Sequence, residues 1–334
     1  MFDKEREAIR IFMKSLVQKF PDQDFETDAC TFRAGEQEWL FTTDEFSAED
    51  NFRSSNGSVL GWNLAAATIS DILAAGGVPL FYGHSVTIQY DWDERFIDGL
   101  SNGISNCLRE SGAEFLGGDL GMSDLWRYTG TAIGRKLASL SRKGAEEGDV
   151  VYMTGVPGAG NLEAALKLYS EYKPLKPFLG MVTVTFPLRI KEAALIRKFA
   201  NCCIDSSDGL FRALMDLTRI SQKGFMVSNI PYQSQGQFAC KLLGKPVEIL
   251  FLGECGEYEL VFTVSKDREA AFLAEARTNG LEFSKLGLIT AEKQIIQNNH
   301  KLIDLSGYSI FARNYENVED YIREVVHFIE DGSG

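Results

Sequence analysis

The chain has 334 residues, room for two ordinary domains at roughly 100–200 residues each. Its 45% hydrophobic content, 24% charged content and 23 Phe describe a globular chain with a large core, which excludes a disordered protein and a disulfide-dependent scaffold. A formal charge of −13 argues against nucleic-acid and anionic-membrane partners, which demand clustered Lys and Arg, although bound cations would still let an acidic pocket hold a small phosphate ligand.

The N-terminal MFDKEREAIR carries charge where a signal peptide needs apolar residues, and no apolar run reaches membrane-spanning length, so a cytoplasmic protein is expected. Ile9, Phe12, Met13, Leu16, Val17 and Phe20 recur at helical spacing up to Pro21. A strand follows in EWLFTTD, then a polar loop near 47–58, then a helix from Val59 to Ala75 closed by Gly76 and Gly77. LFYGHSVTIQY reads as a strand, ERFIDGLSNGISNCLRESG as an amphipathic helix, AEFL as a short strand entering Gly117-Gly118-Asp119, and WRYTGTAIGRKL as another strand. Polar, glycine-containing SLSRKGAEEGD marks a boundary, dividing the chain into domains 1–138 and 139–334.

The second half restarts with strand VVYMTG, loop VPGAG and a helix from Asn161. Helix EAALIRKFA, turn IDSSDGL with its helix, a strand pair VEILFLG and EYELVFTV, helix REAAFLAEA, strand FSKLGLI and helix NVEDYIREVVHFI complete it. Strands alternating with helices predict an α/β or α+β layered fold. The six cysteines show neither C-x-x-C nor zinc spacing and read as reduced thiols.

Chemistry is sought at aspartates in awkward places. Asp71 sits in the apolar helix LAAATISDILAAGG with no Lys or Arg at helical contact spacing, so it is solvated beside Ser70, paired at long range, or bound to a metal. Asp44 ends a strand and Asp119 follows two glycines; each is either turn chemistry or a ligand-facing acid. Asp205, Ser207 and Asp208 precede a helix, where one of them could simply cap it or the turn could face an anion. Loop Gly155–Gly160 is a turn or a phosphate cradle, and matches neither a Walker A loop nor G-x-G-x-x-G. Acids without metal-spaced histidines favour Mg²⁺ over zinc.

Taken in order, TDACTF, FTTDEFSAEDNF, NLAAATISDILAAGGVP, FLGGD, GDVVYMTGVPG, IDSSDGLFRAL, GEYELVFTV and GYSIF resemble the thiamine-monophosphate kinase family of the AIR-synthase superfamily across nearly the whole chain. The resemblance implies an N-terminal α/β domain that forms a β-barrel shared within a homodimer, and a C-terminal α/β domain over the site. It implies ATP and Mg²⁺ as co-substrate and cofactor, and a small-molecule phosphate acceptor. Asp28, Thr42, Thr43, Asp44, Asp71, Asp119, Asp205 and Asp208 would serve the metals. Gly118, Asp119, Arg142 and Ser207 would contact ATP, and Asn51 and Tyr308 the acceptor. The chemistry implied is in-line transfer of the ATP γ-phosphoryl group to the acceptor phosphate.

Most metal positions survive with one acid lost, while several acceptor-side positions depart from the family pattern. Thr27 replaces one of two family aspartates, Asn51 stands for a substrate histidine, Leu120-Gly121-Met122 replaces an Arg-containing tail, and the acidic element reads Glu254-Cys255-Gly256-Glu257-Tyr258-Glu259. They imply a kept ATP–magnesium site with an altered second substrate. The competing readings are another ATP enzyme of the superfamily, ligase or hydrogenase-maturation type, and a degenerate non-catalytic nucleotide-binding protein.

Overall fold

A computed structural model of the chain describes residues 8, 11–12, 26–50, 55–168, 184–298 and 301–331. The first part holds β1 (Cys30–Ala34), β2 (Gln37–Ser47), α1 (Gly57–Ala74), β3 (Gly77–Gln89), α2 (Glu94–Ser111), β4 (Glu114–Ser123) and β5 (Arg127–Lys136). The second holds β6 (Val150–Thr154), α3 (Ala159–Leu168), α4 (Ile190–Phe199), β7 (Ala200–Asp205), α5 (Gly209–Ser221), β8 (Gly224–Ser228), α6 (Ser234–Leu243), α7 (Ile249–Leu252), β9 (Leu260–Val264), α8 (Lys266–Thr278), β10 (Phe283–Thr290), β11 (Gln294–Asn298), β12 (Lys301–Asp304) and α9 (Val318–Asp331). This is the expected mixed α/β architecture. The expected helix over 9–20 lies almost wholly outside the described residues.

Two sheets result. The first runs β1-β2-β5-β3-β4, antiparallel except for the parallel β3–β4 pair. The second runs β12-β11-β8-β10-β6-β9-β7, with β8–β11 its parallel pair. Within this chain the first sheet is open, with β1 and β4 at its edges.

Helix α1 is the central element. Asn56 caps it by accepting from the Ser58 and Val59 amides at 3.0 and 3.3 Å. It packs on β2, β3 and β5, against α2, and against β7 and α4 of the second part. A helix covered on so many sides must be apolar nearly all round, hence its run of buried Ala, Leu and Ile. Its approach to α2 is set by glycine: a Cβ on Gly61 would lie 2.0 Å from the Leu100 carbonyl oxygen, and one on Gly103 2.1 Å from that of Ser58. Gly61→Val is therefore expected to cost about 3 kcal/mol or more by forcing the helices apart, measurable as a lowered urea midpoint.

Asn63 ties α1 to the second part. Its side chain donates to the Val184 carbonyl and accepts from the Phe186 amide, both at 2.8 Å, while Trp62 Nε1 donates to the Phe186 carbonyl at 2.7 Å. Each buried polar group is thereby satisfied.

Two local expectations change. VEILFLG, expected as a strand, is a helical turn at Ile249–Leu252 between Pro246 and Gly253. β9 already has β6 and β7 on its two edges, so it cannot form the expected strand pair with that segment. Gly117-Gly118-Asp119 lies within β4 and not in a turn after it, with Gly117 at φ 137 where the register with β3 shifts. Among the described residues, no helix is long and apolar enough to cross a membrane.

Candidate active site

Four aspartates from separate segments converge. Asp28 precedes β1, Asp44 is on β2, Asp71 is on α1 and Asp205 ends β7. On β2 the alternation puts Leu40, Thr42, Asp44 and Phe46 on the face turned to α1. Asp44 pairs across the sheet with Gly130 of β5, where any side chain would strike Thr68 of α1 and Tyr82. Thr42 Oγ1 donates to Asp71 Oδ2 at 2.5 Å, and Asp44 lies close enough for its charge to raise the Asp71 carboxyl. Carboxylate oxygens of Asp28, Asp71 and Asp205 lie within 4.8 Å of one another.

Electrostatics mark the cluster as strained for want of positive charge. Burial, then Asp28, pushes the Asp44 carboxyl up to about 7. Burial with the same neighbour pushes Asp205 to about 8. Asp71 is driven well above the usual range by burial, with Asp44, Asp205 and Asp28 adding. Ser70 Oγ donates to Asp205 Oδ2. Arg142 Nε and Nη2 donate to Asp28 Oδ1 at 3.0 and 2.7 Å. Asp28 Oδ2 and Asp205 Oδ1 remain buried with no hydrogen-bond partner. A carboxylate oxygen only accepts, so donors or cations must fill such positions. An all-oxygen set of this kind fits Mg²⁺ by ligand type.

The other expected residues are placed differently. Thr43 Oγ1 donates to the Gly130 carbonyl at 3.2 Å, on the sheet face away from Asp44. Asp119 is exposed on edge strand β4, in register with Ser85, three strands from β2, and outside the four-carboxylate cluster. Its neighbour Gly118 has room only for hydrogen, since a Cβ would sit 2.4 Å from His84. Ser207 is exposed at the turn before α5. Asp208 takes the N-cap position of α5 without a capping hydrogen bond and has Arg313 Nη2 at 3.7 Å. The Tyr308 ring is buried among Phe211, Phe328 and Phe311, at 4.9, 5.0 and 6.1 Å. Asn51 lies outside the described residues.

Loop Gly155–Gly160 is a braced turn: Gly158 and Gly160 donate their amides to Glu257 Oε1 at 2.7 and 3.1 Å, leaving those donors committed. Glu259 is bound by Arg189 at 2.7 and 2.6 Å and by Thr154 at 2.5 Å. Sequence reasoning passed over Arg189, which carries no local signal because its partner is 70 residues away. It also undervalued Ser70, whose place beside Asp71 in an apolar helix was the available clue. Tyr258 is a further unforeseen neighbour: a buried, positive-φ residue at +52° whose phenol is pushed up by burial, with Asp205, Asp44, Asp208 and Asp71 adding.

The family model for AIR synthase related protein, N-terminal domain, matches residues 26–135. The thiamine-monophosphate kinase of Archaeoglobus fulgidus is 25% identical over 316 residues, covering 92% of this chain and 98% of that protein. That of Aquifex aeolicus is 28% identical, covering 70% and 78%. Among solved structures, AaThiL complexed with AMPPCP and TMP superposes with a TM-score of 0.73 at 24% identity, covering 90% of this chain and 96% of that one. E. coli HypE, a hydrogenase maturation protein, shares the fold with a TM-score of 0.65 at 14% identity, covering 89% and 95%. Residues 26–135 thus match an AIR synthase related N-terminal domain, and over nearly its whole length the chain is similar to thiamine-monophosphate kinases.

Proposed function

We propose that the chain is an ATP- and Mg²⁺-dependent phosphotransferase of the thiamine-monophosphate kinase type, with an acceptor pocket that differs from that of its relatives. The observation that carries this reading is the meeting of Asp28, Asp44, Asp71 and Asp205 in one cluster, Asp205 buried and the other three half-buried. Four carboxylates brought together without matching positive charge are costly to fold, and a divalent cation site is the arrangement that repays that cost. Asp28, Asp44, Asp71 and Asp205 would hold magnesium, with Thr42 orienting Asp71 and Ser70 orienting Asp205. Bound magnesium would offset the charge of the transferring phosphoryl group.

The chain's own part is positioning. Asp119 with Gly118, and Asp208 with Ser207, stand at the exposed margins, suited to a nucleotide arriving from solvent. No side-chain nucleophile is required, since the acceptor phosphate attacks directly. The altered acceptor is supported by the acidic element: Glu257 and Glu259 are both engaged in bracing Gly158, Gly160, Arg189 and Thr154. Homodimer formation through the first sheet is part of the reading, supported by Phe41, Phe115, Leu116, Leu120 and Met122, all large, apolar and exposed. We take the functional division as 1–138 and 139–334, and the cytoplasm as the place of action.

The test is ADP release from ATP and Mg²⁺ across a panel of phosphate monoesters that includes thiamine monophosphate. Acceptor-dependent ADP release with weak turnover of thiamine monophosphate is expected. Full turnover of that compound would remove the altered acceptor. Lack of release with every acceptor would remove the kinase.

A further inference from the structure

The position of Arg142 leads beyond the kinase reading while resting on it. Its side chain is 20% exposed and its guanidinium makes two hydrogen bonds to one oxygen of Asp28, whose side chain is 0% exposed. The contact is built from the backbone outward. The Arg142 amide donates to the Glu26 carbonyl at 2.7 Å, and the preceding Ser141 carbonyl accepts from Cys203 on β7 at 2.8 Å. The segment carrying Arg142 is thereby pinned between the chain leading to Asp28 and the strand leading to Asp205. Burial works against the guanidinium's charge, but Asp28, Asp205 and Asp71 outweigh it. Arg142 thus supplies positive charge that the carboxylates otherwise lack.

Two effects on a divalent cation oppose one another here. A hydrogen bond that orients a ligand strengthens a metal site, roughly 10–100-fold. A fixed positive charge beside that ligand weakens it: at 4 Å and an effective dielectric of 20, two unit charges repel by roughly a thousandfold in binding constant, and a dication is repelled more. Repulsion is the larger effect. A polyanionic phosphate reverses the balance, because it offers the guanidinium a bidentate partner and the cation further oxygen ligands.

We propose that Arg142 is a resident counter-cation that holds Asp28 and keeps the affinity of the cluster for divalent cations low until a phosphate-bearing nucleotide arrives. Cation and nucleotide binding are then coupled through one side chain, and the coupling is reciprocal.

Mn²⁺ titration followed by electron paramagnetic resonance, with and without a non-hydrolysable ATP analogue, tests this. The wild type is expected to bind Mn²⁺ weakly alone and tightly with the analogue. In Arg142→Gln the nucleotide-free affinity rises by about tenfold or more, after allowing for the lost orienting bond, and the analogue adds correspondingly less. Arg142→Lys keeps the charge and stays near the wild type. Unchanged or weakened nucleotide-free affinity in Arg142→Gln would overturn the proposal, as would an Arg142→Lys variant that binds as tightly as Arg142→Gln. Arg142→Gln is to be purified in Mn²⁺; failure to fold even then would make the residue structural and also overturn it. ADP release by the wild type tests the phosphotransferase reading separately, and its absence leaves the Mn²⁺ titrations interpretable.

Discussion

Asp71→Asn is expected to lower ADP release by at least about 100–1000-fold while making the metal-free protein more resistant to heat. The two effects have one cause. Asp71 is half-buried and faces Asp44, Asp205 and Asp28, and the side-chain donor to its carboxylate is Thr42. Asparagine keeps the shape and can still accept from Thr42, but removes a carboxyl that the metal-free fold must either keep protonated or hold against its neighbours' charge. Folding without metal becomes easier. Charge stabilisation at the reacting phosphates is lost, and groups of that kind contribute roughly 100–1000-fold each. Calorimetry in chelator at pH 8 checks the stability gain, and steady-state ADP release checks the loss. Wild-type turnover in Asp71→Asn would mean that the cluster is not where the chemistry occurs. A fall in metal-free stability would mean that the carboxylate is paired more favourably than its surroundings indicate.

The metal-free protein is also expected to lose stability as pH rises from about 4 to about 8, by several degrees in melting temperature. Asp44 is raised to about 7 and Asp205 to about 8, and Asp71 stands well above the usual carboxyl range. A carboxyl raised in the folded state holds its proton there after the unfolded chain has released it. Its contribution is complete below the unfolded value of 3.8 and is lost as pH climbs through the folded one. Mg²⁺ is expected to flatten the slope by favouring the charged cluster, with little effect near pH 4. Glu254 and Glu257, each raised to about 7 chiefly by burial and placed outside the cluster, leave a residual slope. Melting curves at five pH values, with chelator and with Mg²⁺, measure it. A flat metal-free profile, or a magnesium effect equal at pH 4 and pH 8, would contradict the clustering of charge.

Much of this architecture is legible in local pattern. The 3.6-residue period of ERFIDGLSNGISNCLRESG gives α2, and the alternation in EWLFTTDEF gives β2, because amphipathic periodicity follows directly from which face meets the core. Asp71 stands out for the same reason in reverse, a charge in a helix made mostly of Ala, Leu and Ile. VEILFLG is misread because a short apolar run suits a buried strand and a buried helical turn equally. The choice depends on whether a sheet edge is free to take it.

The sequence by itself determined the mixed α/β class, the elements of the central sheet and helices, and the small set of aspartates that had to be paired or ligated, since each follows from neighbours within a few residues. Only the tertiary structure decided which of those acids share a site. Asp28, Asp44, Asp71 and Asp205 meet while Asp119 stands apart on β4, and Arg142 turns to Asp28. Such meetings join positions from 29 residues apart, as Thr42 and Asp71, to 135 apart, as Ser70 and Asp205, and nothing in local spacing encodes the strand order and helix crossing that bring them together.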